Sequence, residues 1–419
     1  MKYYKINGGY SLSGDVYIGG SKNSSLPIIC ASLIIKQKVR LYNVPKISDV
    51  YTLLEIIKLN GVLVYENDNY IEIDATNISS GIVDTFLCSK LRASYYLLGA
   101  LINRFDNVSV RKQGGCNIGD RPIDIHRFVF EQLGYRFGDE DELYSLHKGG
   151  YCNGVIRFNN ISMGATINGI LAALSLNKDI RLENVSIEPE IDDLISFLNL
   201  CGYFVTRKDD VIAINKDRKK VDAINYKIMF DRIEAGSYAI LSSLVGNNVR
   251  IHNFVSSNNT KLLEIFNEMG IDYSCENNIL TISKSSNIKP INIVTGPYPE
   301  FATDLIQMLS VLMINGEGIS SFKDTVYRNR YAQLLELVDY GIAMNVYDDE
   351  VFVYGNKVYN NGVFYGKDLR GTMALVMYAL KSEGESLVYG IEYLERGYDS
   401  VVNKLLDIGA CIEVIEYEK

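Results

Sequence analysis

Val39-Arg-Leu-Tyr-Asn-Val-Pro45, then Asp49-Val-Tyr-Thr-Leu-Leu-Glu-Ile-Ile-Lys-Leu-Asn-Gly61, is the stretch that sets the architecture of this chain. It reads as a short apolar strand, a polar loop and an amphipathic helix closed by glycine. Leu53, Leu54, Ile57 and Leu59 are expected on the apolar face. Gly61 supplies the left-handed residue that satisfies the last helical carbonyls. Two alternating runs follow, Val62-Leu-Val-Tyr65 and Tyr70-Ile-Glu-Ile-Asp74, and read as hairpin strands. The same helix ending recurs at Gly134 (Phe130-Glu-Gln-Leu), Gly202 (Leu198-Asn-Leu-Cys), Gly270 (Phe266-Asn-Glu-Met), Gly341 (Leu337-Val-Asp-Tyr) and Gly409 (Leu405-Leu-Asp-Ile). Successive glycines lie 73, 68, 68, 71 and 68 residues apart, so six units of about 70 residues are predicted.

A second, far more apolar helix accompanies each unit. The six span 24–35, 92–102, 165–176, 235–245, 303–313 and 371–380. A helix apolar nearly all round is buried. Each unit therefore has one buried helix, one surface helix and about four strands, an α/β pattern that a single doubly wound sheet cannot accommodate. Two similar domains are expected, each with threefold pseudosymmetry and buried helices at its centre. A chain of 419 residues also exceeds the size at which one core stops growing.

Composition narrows the function classes. A net charge of −9 argues against a nucleic-acid coat or an anionic membrane surface, so any cationic site must be local. The 7 cysteines are scattered and never form a CxxC pair, which points to free thiols in a reducing cytoplasm. The 3 histidines do not pair at ligand spacing, so no metal site is expected. No secretory leader is read at the start, and no apolar run approaches the roughly 20 residues of a membrane span.

One segment carries chemistry. In Arg111-Lys-Gln-Gly-Gly-Cys-Asn-Ile-Gly-Asp-Arg-Pro-Ile-Asp124, a single thiol, Cys116, sits among three glycines and between cations. Glycines permit positive φ and loop motion, and nearby cations lower a thiol's pKa and attract anions. The segment reads as a mobile loop carrying a nucleophilic or proton-transferring cysteine to an anionic substrate. Lys22, Arg92 and Arg370 recur at the starts of buried helices, where a cation opposes the helix dipole at a cost of roughly 0.3–1 kcal/mol each. Repeated violation of a local rule points to a functional site rather than to caps and surface pairs.

At these residues the chain resembles the enolpyruvyl transferases, from Gly8 to about Gly409. The matching motifs are Gly19-Gly-Ser-Lys-Asn23, Leu91-Arg-Ala-Ser94, Gly114-Gly-Cys-Asn-Ile-Gly119 with Arg121-Pro-Ile-Asp124, Ser162-Met-Gly-Ala-Thr166, Glu188-Pro-Glu-Ile191, Asp231-Arg-Ile-Glu234, Thr303-Asp304, Asn329-Arg330, Asp368-Leu-Arg370 and Arg396-Gly-Tyr398. The family branch acting on a shikimate phosphate lacks the cysteine loop, so Cys116 favours the branch that acts on a UDP-sugar.

The resemblance implies two inside-out α/β barrels, one holding residues 22–229 and the other 1–21 plus 230–419, with substrates bound in the cleft between them. It implies transfer of the enolpyruvyl group of phosphoenolpyruvate to the 3′-hydroxyl of UDP-N-acetylglucosamine, with release of phosphate. Such a transfer serves cell-wall synthesis and needs no metal or organic cofactor. By the same resemblance Cys116 protonates C3 of phosphoenolpyruvate and is the residue fosfomycin would alkylate. Asp304 is the base near the sugar hydroxyl. Lys22, Arg121, Arg370 and Arg396 surround phosphoenolpyruvate, and Arg92 helps hold the closed loop. Substrate contacts are further implied for Asn23, Pro122, Ile123, Asp124, Ile125, His126, Ser162, Met163, Gly164, Thr303 and Val326. Arg111 and Lys112 are left as solvent-facing charges.

The chain departs from the family pattern at Tyr96 (usually Trp), Met163 (usually smaller), Ile167 (usually Glu), Arg328 (usually Glu) and Glu395 (usually Asp). The departures gather on the sugar side. Two alternatives therefore stay open: a paralogue acting on another nucleotide-sugar, and a nucleotide-sugar-binding regulator without turnover.

Overall fold

The computed structural model describes residues 2–113, 123–327 and 329–417. The chain divides into two compact units, which among the described residues are 20–113 with 123–229, and 2–19 with 230–417. Each has its own apolar core, and each is an α/β unit with its helices at the centre.

The described strands form six four-stranded sheets, three per unit. All share one plan. In the first, Ile224–Lys227 runs parallel to Lys38–Tyr42. That strand pairs antiparallel with Tyr70–Asp74, which pairs antiparallel with Leu63–Glu66. The expected hairpin is thus present. The parallel edge strand comes from elsewhere in the chain, because a parallel neighbour cannot be reached by a tight turn. In the C-terminal unit the chain's beginning completes two sheets, supplying one internal antiparallel strand and one parallel edge. Lys2–Gly8 lies antiparallel between Gly384–Tyr389 and Cys411–Glu416, and Leu12–Tyr17 runs parallel to Gly246–His252.

The repeat read from glycine spacing is present in the backbone. Gly61, Gly134, Gly202, Gly270, Gly341 and Gly409 all have positive φ, between 74° and 96°. Helix Ser48–Leu59 buries Val50, Leu53, Leu54, Ile56 and Ile57. Leu59, expected on this face, is 67% exposed. At 100° per residue it falls on the far side from Leu53 and Ile57, and Ile56 takes its place. Burying each such aliphatic side chain contributes roughly 1.5–3 kcal/mol.

The central helices are Lys22–Ser32, Met163–Ala173, Arg232–Val245, Thr303–Ile314 and Leu369–Lys381, with a 3₁₀ turn Arg92–Tyr95 leading into Tyr96–Leu101. Lys22–Ser32 packs on Tyr96–Leu101, which packs on Met163–Ala173, and the other three pack pairwise. Four of the six begin two or three residues earlier than expected. The apolar pattern starts late because the first turns carry polar side chains: Lys22 and Asn23, Arg232 and Glu234, Arg370.

Two surface cations have ion-pair partners. Arg111 bonds Asp84 at 2.6 Å and also pairs with Glu142. Lys112 bonds Asp139 at 2.5 Å and lies 5.0 Å over the Tyr144 ring. Both are half-buried and ion-paired, because neighbouring strands bring these carboxylates to the end of Asn107–Arg111. No helix among the described residues is long and apolar enough to cross a membrane.

Candidate functional site

In the unit containing residues 20–229, the loop before helix Lys22–Ser32 ends in Ser21, whose hydroxyl accepts from the Ser24 N–H at 3.3 Å. Lys22 follows in the first turn. Its position against the dipole is offset by Asp49, whose carboxylate lies 2.8 Å from Nζ and is itself buried. Asn23 is half-buried beside it. Ser24 donates its hydroxyl to Asp193, which also accepts from Tyr226 at 2.6 Å and from the Met229 N–H at 3.2 Å. Burial pushes the Asp193 carboxyl up.

Arg92 opens its 3₁₀ turn with the guanidinium 5.7 Å over the Tyr95 ring. The Tyr95 ring meets His126 edge-on at 6.3 Å. His126 lies on helix Asp124–Gln132, between half-buried Ile125 and exposed Arg127, and is 6% exposed. Asp124 is exposed in the first turn, where a carboxylate suits the dipole, and Ile123 is half-buried before it. Ser162 caps helix Met163–Ala173 by accepting from the Ala165 N–H at 3.3 Å. Met163 and Gly164 form that helix's first turn, and Gly164 approaches His126 closely. Ile167 is fully buried in the core, so the usual Glu at this place is replaced without burying an unpaired charge.

Burial, aided by the Arg92 charge, pushes the His126 imidazole down from 6.5 to about 3. The neutral ring is the folded form, so the unfolded chain binds the extra proton between these values. Stability from this site is therefore complete above pH 6.5 and falls as pH drops, by about 1.4 kcal/mol per unit. In urea unfolding, the parent protein is expected to lose about 1.4 kcal/mol more than His126→Gln between near pH 7.5 and near pH 5.5. Equal losses would refute the buried neutral assignment.

In the unit containing 230–417, Asp304 lies in the first turn of Thr303–Ile314, held between two buried arginines. Arg330 Nη2 donates to Oδ1 at 2.5 Å and Arg370 Nη2 to Oδ2 at 3.1 Å. Arg330 Nη1 also donates to the Thr303 hydroxyl at 2.9 Å, and Thr303 donates to Asp324 at 2.5 Å. Asp324 in turn accepts from the Val326 N–H at 2.9 Å, which fixes the loop carrying the half-exposed Val326 side chain. Asp368 caps helix Leu369–Lys381 by accepting from the N–H groups of Arg370 and Gly371. The Arg370 guanidinium lies 5.1 Å over the Tyr398 ring, two residues beyond the half-buried Arg396.

Burial opposes ionisation of Asp304, but Arg330 and Arg370 outweigh it and hold the carboxyl far below the usual range. It is a carboxylate at every working pH, an acceptor flanked by donors. Burial would also weaken the Arg370 charge. Tyr398, Asp304 and Asp231 oppose that and keep it protonated.

Thr303, Asp304, Val326 and Arg370 are thus joined in one network, and Lys22, Asn23, Arg92, His126, Ser162, Met163 and Gly164 stand at helix starts of the other unit. Cys116, Arg121, Pro122 and Arg328 lie outside the described residues. Four partners escaped the sequence reading: Asp49, Asp193, Asp324 and, as the second arginine on Asp304, Arg330. In the sequence Arg330 stands out only as part of the Asn329-Arg330 motif. The acidic three sit in surface helices or strand ends where carboxylates are ordinary, so no local signal separated them.

The remaining cysteines are free thiols. Burial pushes Cys88 up to about 11, Cys201 to about 12 and Cys30 higher. These three are unreactive core residues.

Comparison with known proteins identifies the family and the fold. The family described as EPSP synthase (3-phosphoshikimate 1-carboxyvinyltransferase) matches residues 6–405. A UDP-N-acetylglucosamine 1-carboxyvinyltransferase of Streptococcus pneumoniae serotype 2 is 34% identical over 419 residues, covering 99% of this chain and 100% of that protein. The UDP-N-acetylglucosamine 1-carboxyvinyltransferase 2 of Streptococcus pyogenes serotype M3 is 35% identical over 418 residues, with the same coverage. Among solved structures, the enolpyruvyl transferase NikO from Streptomyces tendae superposes with a TM-score of 0.89 at 20% identity, covering 99% of this chain and 98% of its own. EPSP synthase from Acinetobacter baumannii superposes with a TM-score of 0.78 at 16% identity, covering 99% and 100%. At those identities the two structures speak to the fold alone.

Proposed function

The chain belongs to the EPSP synthase family of enolpyruvyl transferases, and on that premise we propose that it transfers the enolpyruvyl group of phosphoenolpyruvate to the 3′-hydroxyl of UDP-N-acetylglucosamine, releasing phosphate. The observation that carries the choice of acceptor is the full-length identity with curated UDP-N-acetylglucosamine 1-carboxyvinyltransferases. The residues are consistent with it.

The reaction adds a proton to C3 of phosphoenolpyruvate while the sugar oxygen attacks C2, giving a tetrahedral intermediate. Loss of a proton from C3 and of phosphate from C2 then restores the double bond. An acid, a base and a cationic surround are needed. In this reading Cys116 supplies the C3 proton. Lys22, Arg121, Arg370 and Arg396 bind the carboxylate and phosphate of phosphoenolpyruvate, and Arg92 supports the Cys116 segment. Asp304 accepts a hydrogen bond from the attacking hydroxyl. Its grip by two arginines makes it a weak proton acceptor in the free protein. Substrate anions that compete for those guanidiniums raise its proton affinity when a base is required. The nucleotide-sugar contacts fall to Asn23, Pro122, Ile123, Asp124, Ile125, His126, Ser162, Met163, Gly164, Thr303 and Val326.

Phosphate release with phosphoenolpyruvate and a panel of nucleotide-sugars tests the reading. Turnover is expected with UDP-N-acetylglucosamine. Release only with a different nucleotide-sugar would reassign the acceptor, and no release with any would remove the catalytic reading. Cys116→Ser is expected to lower kcat by about a hundredfold or more, and intact-mass analysis after fosfomycin treatment should place one adduct on Cys116.

A further inference from the structure

The site's one buried histidine has its tautomer dictated by a neighbouring buried amide. Asn168, on the second turn of Met163–Ala173, is 1% exposed and its amide is hydrogen-bonded at both ends. Its Oδ1 accepts from the Gly99 N–H at 3.3 Å. Its Nδ2 donates to the Tyr95 carbonyl at 3.1 Å and lies 2.9 Å from His126 Nδ1. A backbone N–H can only donate and a backbone carbonyl can only accept, so the two backbone contacts fix which end of the amide is oxygen. The amide group facing His126 is therefore a donor, and Nδ1 must be the acceptor. Of the two neutral tautomers only the one with its proton on Nε2 satisfies the bond.

Nε2 turns toward the start of Met163–Ala173. A Cβ added at Gly164 would lie 3.0 Å from Nε2 and 3.1 Å from Cε1, so glycine keeps that side of the ring uncovered. Among the described residues Nε2 has no hydrogen-bond partner. Gly99 completes the arrangement from the other side, since a Cβ there would lie 2.7 Å from Asn168 Oδ1 and push the amide away.

We infer that Asn168 is a positioning residue that locks His126 as an Nε2–H donor, so that at the start of Met163–Ala173 the ring presents a proton and selects an oxygen acceptor on the nucleotide-sugar. The inference rests on the proposed nucleotide-sugar reading. Among the described residues, Arg92, Tyr95 and the Asn168 amide face the ring, and the Tyr96 hydroxyl lies near Gly164. The imidazole pushed down to about 3 agrees with a ring that stays neutral.

Two measurements on the full chain test this. Nitrogen-15 spectra of the ligand-free enzyme should show His126 in the Nε2–H form, unchanged between near pH 6 and near pH 8. A ring protonated on Nδ1, or doubly protonated in that range, overturns the lock, whatever the enzyme turns over. Asn168→Ala should mix the tautomers and raise KM for UDP-N-acetylglucosamine about tenfold, while kcat and KM for phosphoenolpyruvate change less than about twofold. An unchanged sugar KM, or an equal loss toward both substrates, overturns the positioning role. Should this variant not fold, the parent spectrum still decides. Failure of the parent to use UDP-N-acetylglucosamine would sink the functional reading and leave the tautomer measurement intact.

Discussion

Asp304→Ala is expected to lower kcat by about a thousandfold and to remove about 3–5 kcal/mol of stability. The two losses share one cause. Asp304 is the carboxylate that both Arg330 and Arg370 grip. Both arginines are buried, and neither Nε has a hydrogen-bond partner among the described residues. Removing the anion leaves two desolvated cations facing one another. Their repulsion and lost hydrogen bonds are the penalty of breaking a buried ionic cluster from one side. Asp304→Asn separates the effects. It keeps an acceptor oxygen and the shape but loses the charge, so kcat should fall nearly as far while part of the stability returns. Steady-state phosphate release and urea unfolding measure the two quantities. An alanine variant with native stability would mean that solvent already screens the arginines, and one with native kcat would remove Asp304 from the chemistry.

The second large effect is expected at Gly20, two residues before Lys22. A Cβ there would lie 1.6 Å from the Asn43 carbonyl oxygen and 2.8 Å from its carbon. Asn43 cannot yield easily. Its own φ is 57°, its side chain donates to the Ile228 carbonyl at 2.9 Å, and the neighbouring Tyr42 carbonyl receives the Ile228 N–H at 3.0 Å. The strain therefore falls on Gly20 and the start of Lys22–Ser32. Gly20→Ala should cost about 3 kcal/mol, the upper end for overpacking, because the obstacle is backbone. It should also lower kcat by about a hundredfold, since a shift near 1 Å at Lys22 is enough. Gly19→Ala is the control. Its Cβ would meet nothing closer than 3.8 Å, so activity and stability should stay near the parent's. Equal behaviour of the two variants would show that Gly20 is replaceable and that the approach to Asn43 relaxes.

The repeat was readable because its marks are local. A left-handed glycine after an amphipathic helix depends only on a few adjacent residues, and all six have the expected φ. Leu59 is apolar but lies on the far side of its helix, which its angle shows and a count of apolar residues does not. The helix starts lie earlier than the apolar pattern because polar side chains occupy the first turns. The cations of the site were visible for the same reason: Lys22 and Arg370 break a local rule at a helix N-terminus. The carboxylates packed behind the site broke none. Asp49 and Asp324 are ordinary carboxylates in sequence, and only packing shows them buried against the groups they hold.

What the amino-acid order determined by itself is the six-fold repetition, the division of each unit into buried and surface helices, and the family, because periodicity and short motifs are encoded in neighbours along the chain. The tertiary structure alone decided the charge state of Asp304, the tautomer of His126, and the completion of the C-terminal sheets by residues 2–17. Each depends on partners brought together by folding: Arg330 and Arg370 on one carboxylate, Asn168 on one ring nitrogen, Gly246–His252 beside Leu12–Tyr17. Proton affinity and strand pairing are set by distance and desolvation in space, and neither is written in the spacing of residues along the chain.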